Sequence, residues 1–146
     1  MTGDLNEHDT VYGGRMLELL DATASISAAK AACQQTVTVS IDQFNFIKPF
    51  KLKDSLRIIS YVSGIGNRSL EIFAKIIGYR HSYGNPFLGA ISFLTFVTES
   101  TAPLQLSLKP ETSEEIAVCQ GYLTRKKLNQ QRIIHNHKLF AQLQIN

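Results

Sequence analysis

Residues 6–32 read NEHDTVYGGRMLELLDATASISAAKAA, a polar loop, a glycine pair and then one long apolar run. After Gly13 and Gly14 come Met16, Leu17, Leu19, Leu20, Ala22, Ala24, Ile26, Ala28, Ala29, Ala31 and Ala32. On a helix these positions surround nearly the whole circumference, which predicts a helix from Gly13 to about Ala32 that is covered on most sides. Its charges are Arg15, Glu18, Asp21 and Lys30. A carboxylate in the middle of such a surface costs free energy unless it is paired, hydrogen-bonded or set in a wet cleft. Asp21 therefore calls for an account. For a lone acid the plainer one is a polar gap or a neighbouring backbone group, and the sharper one is chemistry.

The rest of the chain supplies what would cover that helix. Gln34 to Phe46 alternates polar and apolar residues with one switch of phase, which predicts a long, bulged strand. Lys48 to Asp54 breaks it. Ser55 to Ser63 and Ser69 to Tyr79 flank the glycine-rich connection at Gly64 to Asn67 and read as the two arms of an antiparallel hairpin. That turn is no dinucleotide fingerprint, because the third glycine is absent and no helix follows. Phe87 to Thr98 is a fourth, strongly apolar strand. Beyond Pro110, Thr112-Ser113-Glu114-Glu115 has the form of a capping box. It predicts a C-terminal helix interrupted at Gly121, with Ile116, Leu123, Leu128, Ile134, Leu139 and Leu143 as its apolar stripe. One apolar helix and at least four antiparallel strands define an α+β domain whose sheet curls around the helix, since only wrapping buries a helix that is apolar nearly all round. The expected organisation is a domain over residues 1–103 and a basic helical tail over 104–146.

Composition narrows the function classes. With 146 residues, 44% hydrophobic and 18% charged, the chain is of globular type, and its apolar runs fall short of a bilayer span. The opening residues are acidic and polar, unlike a signal peptide, so the expected location is cytoplasmic, with Cys33 and Cys119 as two reduced thiols. The Asn67-Arg68-Ser69 sequon is then irrelevant. The net charge of +3 is mild, but Arg125, Lys126, Lys127, Arg132 and Lys138 crowd the last quarter. That tilt suggests an anionic partner or a solvated basic face, and charge alone does not choose between them. No aromatic residues interleave with the cations as in a nucleic-acid surface, and neither nucleic acid nor membrane is the expected partner.

An ordered set of short pieces resembles a known family. Asp4-Leu5-Asn6, Tyr12-Gly13-Gly14, Asp21, Val37-Thr38-Val39-Ser40-Ile41-Asp42, Phe46, Pro49, Ser69-Leu70-Glu71-Ile72 and Phe93-Leu94-Thr95-Phe96-Val97 are similar to hotdog-fold acyl-CoA thioesterases, specifically the bacterial acyl-CoA hydrolases related to brain acyl-CoA hydrolase. The resemblance covers roughly residues 4–98. It implies a central helix wrapped by a curved antiparallel sheet, hydrolysis of acyl-CoA thioesters, and a homodimer of units paired edge to edge that assembles further to a hexamer. It also places a catalytic asparagine at Asn6 and the catalytic acid at Asp21, with Asn67, Arg68 and Ser69 toward the CoA phosphates. Coenzyme A is then part of the substrate, and neither a separate cofactor nor a metal is expected. The chain departs from the family at Asp9, where glycine is usual, at Asn45, where aspartate is common, and in having no strand before Asp4.

Thioester hydrolysis needs a polarised carbonyl and an attacking oxygen. Backbone N–H groups at a helix start stabilise a developing oxyanion, which gives Gly13 and Gly14 a role. Asp21 can serve as general base on water or as a nucleophile forming a mixed anhydride. At about 1.5 Å per residue, Asp21 lies roughly 12 Å along the helix from Gly13, and one carbonyl cannot touch both. If both act, two antiparallel helices must meet across a two-fold interface, with Asn6 positioning water or carbonyl opposite the partner's acid.

The other candidates are weaker. His8 sits between two acids in a loop and reads as surface. His135, His137 and Cys119 lack zinc spacing. Ser25, Ser27 and Ser40 have no nucleophile-elbow setting. Phe44, Phe46, Phe73, Phe93 and Phe96 read mainly as core, with one or two available to line an acyl tunnel. The competing functions are a hotdog hydratase, disfavoured because the central helix carries no histidine, and a non-catalytic acyl-CoA-binding sensor module.

Overall fold

The computed structural model describes residues 2–146. The chain forms two compact units, Met1–Leu108 and Lys109–Asn146. The first contains helix α1 (Gly13–Ala32) and strands β1 (Thr36–Phe46), β2 (Ser55–Ile65), β3 (Ser69–Tyr79) and β4 (Pro86–Thr98). The strands make one antiparallel sheet in the order β1-β4-β3-β2, and α1 packs against all four.

The sheet curves because none of its pairings is regular. The register shifts between Thr38 and Ser40 and between Ile41 and Gln43 on β1, between Val62 and Gly64 on β2, and opposite Ile76 and Ile77, where Gly89 of β4 is the extra residue. Each extra residue bends its strand and adds right-handed twist. The shift at Gly64 also lets β2 run on to Ile65, so the hairpin turn is Gly66 to Arg68 rather than Gly64 to Asn67.

On the concave side, Leu70, Ile72, Ala74 and Ile76 of β3 and Ala90, Leu94 and Phe96 of β4 alternate inward. They meet Met16, Leu20, Ala24 and Ala28 of α1. Those helix positions recur every four residues and form a single stripe. Leu20 is fully buried, and truncating it to alanine would cost about 2–5 kcal/mol.

The helix is thus not covered on most sides within one chain. Only that stripe is buried, while Ile26 is 57% exposed and Ala22 also faces outward. Four strands are too few to wrap the remaining circumference. The edge strand β1 is bare in the same way, with Val37, Val39 and Phe46 each more than half exposed.

The opposite face of the sheet carries a row of tilted aromatic rings, Tyr61, Phe73 and Phe93, with centroids 5.3 and 5.2 Å apart. Phe73, Phe93 and Phe96 are core residues, as expected, whereas Phe44 is half-buried and Phe46 exposed.

The second unit contains α2 (Ser113–Gln120) and α3 (Tyr122–Phe140), separated at Gly121. The capping box forms: Thr112 Oγ1 accepts from Glu115 N at 3.1 Å, and Glu115 Oε2 accepts from Thr112 N at 3.2 Å. Hydrogen bonds from the backbone of Glu111 and Thr112 hold the Glu115 carboxyl below its usual range. The apolar stripe does not form a buried face, and no residue of α2 or α3 is buried. Leu123 and Leu128 are five positions apart, about 140° round a helix, so they cannot share a face.

Candidate functional site at the opening of the central helix

The site is built where the N-terminal loop meets α1. The loop is tied down by its own backbone: Tyr12 N donates to Asp4 O (2.6 Å), Val11 N to Phe50 O (2.9 Å) and Asn6 N to Thr10 O (2.8 Å). Arg15 reaches back to Asp4 at 3.6 Å while pairing with Glu18 at 2.9 Å. Within this frame the Asn6 side chain has one possible orientation. Its Oδ1 accepts from His8 N (2.9 Å), Thr10 N (3.2 Å) and Thr10 Oγ1 (3.0 Å). Three donors identify that atom as the carbonyl oxygen and leave the amide Nδ2 to donate elsewhere. Asn6 therefore offers N–H, and Thr10 is the residue that makes it do so.

Helix α1 starts at Gly13 after an extended Tyr12, with no side-chain cap. The first N–H groups of a helix have no acceptor within it, so Gly13 and Gly14 present donors. A cavity of about 380 Å³ brings Asn6 and Gly13 together, with Thr10, Met16, Lys48 and Phe50 also in its walls; Gly14 does not line it. Lys48 is held there because Ile47 N and Lys48 N both donate to Gly89 O, at 2.8 and 3.1 Å.

Asp21 is not part of that cavity. It lies on the open side of α1, half-buried, and accepts a 2.9 Å hydrogen bond from Thr38 Oγ1 on β1. Sequence reading attached no separate role to Thr38. The available signal was a hydroxyl on the strand that follows the helix, at the start of a bulge.

The phosphate candidates sit at the far end of the sheet. Arg68 Nε donates to Ser100 O (2.9 Å) and Nη2 to Thr98 O (3.1 Å), which ties the β2–β3 turn to the end of β4. Asn67 O accepts from Leu104 N (2.8 Å) and Ser69 O from Gly66 N (2.8 Å). One chain thus brings Asn6 and Gly13 to one cavity, places Gly14 in the wall of a neighbouring one, and leaves Asp21 and the Asn67 to Ser69 turn apart from both. Among the described residues no group of three or more His, Cys, Asp or Glu side chains could hold a metal ion, and no helix is long and apolar enough to cross a membrane.

Comparison with known proteins assigns the class. The Thioesterase superfamily matches residues 8–78. An uncharacterized acyl-CoA thioester hydrolase of Bacillus subtilis is 38% identical over 139 residues, which span 93% of this chain and 81% of that protein. The chain belongs to this thioesterase family. An acyl-CoA hydrolase of Staphylococcus aureus, solved with butyryl-CoA, CoA and CoA disulfide, is 30% identical and superposes with a TM-score of 0.88 over 95% of this chain and 87% of its own. Variants of that enzyme with an aspartate, a threonine or an asparagine replaced by alanine have also been solved. An apo hexameric acyl-CoA thioesterase is 28% identical, with a TM-score of 0.84 over 91% of this chain and 87% of its own.

Proposed function

We propose that this protein hydrolyses acyl-CoA thioesters to a free acid and CoA in a site shared by two copies of the chain. One copy supplies the Asn6 amide and the Gly13 and Gly14 N–H groups, which hold and polarise the thioester carbonyl. The other supplies Asp21 as general base on water or as nucleophile. Thr38 donates to the Asp21 carboxylate and fixes its direction.

The observation that carries this reading is that Asn6 and the opening of α1 wall one cavity, from which the same chain's Asp21 is absent. A second observation supports it. Asn6 and Asp21 are 15 residues apart, and Asp21 and Thr38 are 17 apart. The asparagine, aspartate and threonine replaced in the S. aureus enzyme have the same two separations, 28 to 43 and 43 to 60. The exposed edge of β1 and the bare side of α1 argue for a partner there, since unpaired strand edges and apolar faces are normally covered. Assembly of such dimers to a hexamer is part of this reading; the apo thioesterase neighbour is hexameric.

The CoA phosphates fall to Asn67, Arg68 and Ser69, at the end of the sheet where Ser69 pairs with Val97 and Val97 with Val37, next to the Thr38 that bonds Asp21. Cys33 and Cys119, both thiols, suit a reducing compartment, and the enzyme is assigned to the cytoplasm.

Release of free thiol from a panel of acyl-CoAs tests the reading. Turnover by the wild type that falls about 10² to 10⁴-fold in Asp21→Asn is expected. Saturable binding without turnover would mark a sensor module instead.

A further inference from the structure

A second cavity adjoins the first. It measures about 320 Å³ and is lined by Gly13, Gly14, Leu17, Ile41, Phe44 and Phe46, without a titratable side chain. Two residues, Gly13 and Phe46, belong to both cavities. The Phe46 ring stands against Gly13 so closely that a Cβ there would lie 3.1 Å from the ring tip. Phe46 is therefore the partition between a cavity with the polar side chains of Asn6, Thr10 and Lys48 in its walls and one whose side chains are all apolar.

The partition can move. Phe46 is 63% exposed and leans on Phe44 with ring centroids 4.6 Å apart. The backbone beyond it is pinned twice to Gly89 O, so the ring can turn about its own side-chain bonds without displacing the chain.

We infer that Phe46 sets the acyl-chain length this protein accepts: the thioester lies in the donor-lined cavity, and the hydrocarbon crosses the Phe46 ring into the apolar one. This rests on the proposed thioesterase reading and adds the part of the site that selects the acyl group. The occupant follows from contiguity. The apolar cavity opens off the very residue, Gly13, whose N–H is assigned to the carbonyl, and a thioester is a polar group with an apolar tail. Its walls reject charge and reward methylenes, each buried CH₂ being equivalent to a factor of about four in kcat/KM.

The test compares kcat/KM across straight-chain acyl-CoAs from two to sixteen carbons for wild type, Phe46→Ala, Phe46→Leu and Leu17→Phe. Native mass and circular dichroism are measured alongside. Removing the ring joins the cavities, so Phe46→Ala moves the preference toward longer chains, by at least about tenfold in the long-to-short ratio, the effect of two or more methylenes. Phe46→Leu moves it less and in the same direction. Leu17→Phe fills the apolar cavity from the helix side and moves the preference toward shorter chains. If Phe46→Ala does not fold, the Phe46→Leu and Leu17→Phe pair decides by the opposite sign of their shifts.

A wild-type enzyme active on acyl-CoAs whose profile shifts less than twofold in every folded variant overturns the inference while leaving the function intact. Variants that change native mass but not chain preference overturn it in favour of a protein occupant. No thiol release by the wild type from any ester defeats the thioesterase reading itself.

Discussion

Thr38 Oγ1 donates to Asp21 Oδ1 at 2.9 Å, joining the first strand to an acid in the middle of the central helix, on its open side. Both residues are accessible in a single chain, so this contact is not there to satisfy a buried charge. It fixes where the carboxylate points. Thr38→Val keeps the shape and removes the hydroxyl, and kcat should fall about 10- to 100-fold with KM little changed, because small misplacements of a reacting group are costly. Thr38→Ser should retain most activity. Equal losses in the serine and valine variants would mean that the methyl group matters and the hydrogen bond does not.

Acid sensitivity should concentrate at Asp54. Its side chain is 2% exposed and pairs with Arg80 Nη1 at 2.5 Å. It also accepts from Lys51 N (2.9 Å) and His81 N (3.2 Å). Burial pushes its carboxyl up, but the backbone donors of Lys51 and His81 and the Arg80 guanidinium outweigh that and hold it below its usual value. A folded-state value below the unfolded one contributes stability that is present above about pH 4 and is lost as pH falls through the folded value. Asp54→Asn should therefore cost about 1–3 kcal/mol at pH 7. The gap from wild type should close as urea titrations at one protein concentration are taken down to pH 3. A gap independent of pH would assign the loss to packing alone.

Phe50 depends on two residues without side chains. A Cβ on Gly89 would lie 2.1 Å from the Phe50 ring, and one on Gly78 would lie 2.6 Å from it. Phe50 is 4% exposed and stacks on Phe87 at 5.2 Å. Because the loop from Lys48 to Phe50 forms a wall of the donor-lined cavity, displacing the ring should loosen that wall. Gly89→Ala should lower stability by about 1–3 kcal/mol, the usual cost of overpacking, and raise KM. Adding Phe50→Leu should restore part of both. A double variant no better than Gly89→Ala would show that the strain lies elsewhere.

The period-two pattern of Leu70, Ile72, Ala74 and Ile76 and the four-residue recurrence of Met16, Leu20, Ala24 and Ala28 made the strand, the helix and their meeting face readable, since local spacing encodes which side is buried. The same reading overestimated how much of α1 is covered, because Ile26 and Ala22 look like core residues whether sheet or partner covers them. Asp21 was legible as a charge in an apolar run, and Asn6 through a resemblance in its neighbours. Thr38 and Thr10 were not, because their roles arise from hydrogen bonds across the fold, and a threonine on a strand has no signature that distinguishes it from any other. Phe46 was legible only as one of five aromatic residues, mainly core, of which one or two could line a tunnel, since an aromatic residue at a strand end reads as core until its exposure is known.

The central claim is that Asp21 of one chain works opposite Asn6 and Gly13 of another, and subunit mixing tests it most directly. Asn6→Ala and Asp21→Ala proteins should each be nearly inactive. Unfolded together and refolded, they form mixed dimers in which one site carries both lesions and the other carries neither. With equal partners and random pairing, recovery should approach about a quarter of wild-type activity, half the dimers being mixed and each holding one whole site. A mixture no more active than its components, with mixed dimers demonstrated by mass, would contradict the shared site.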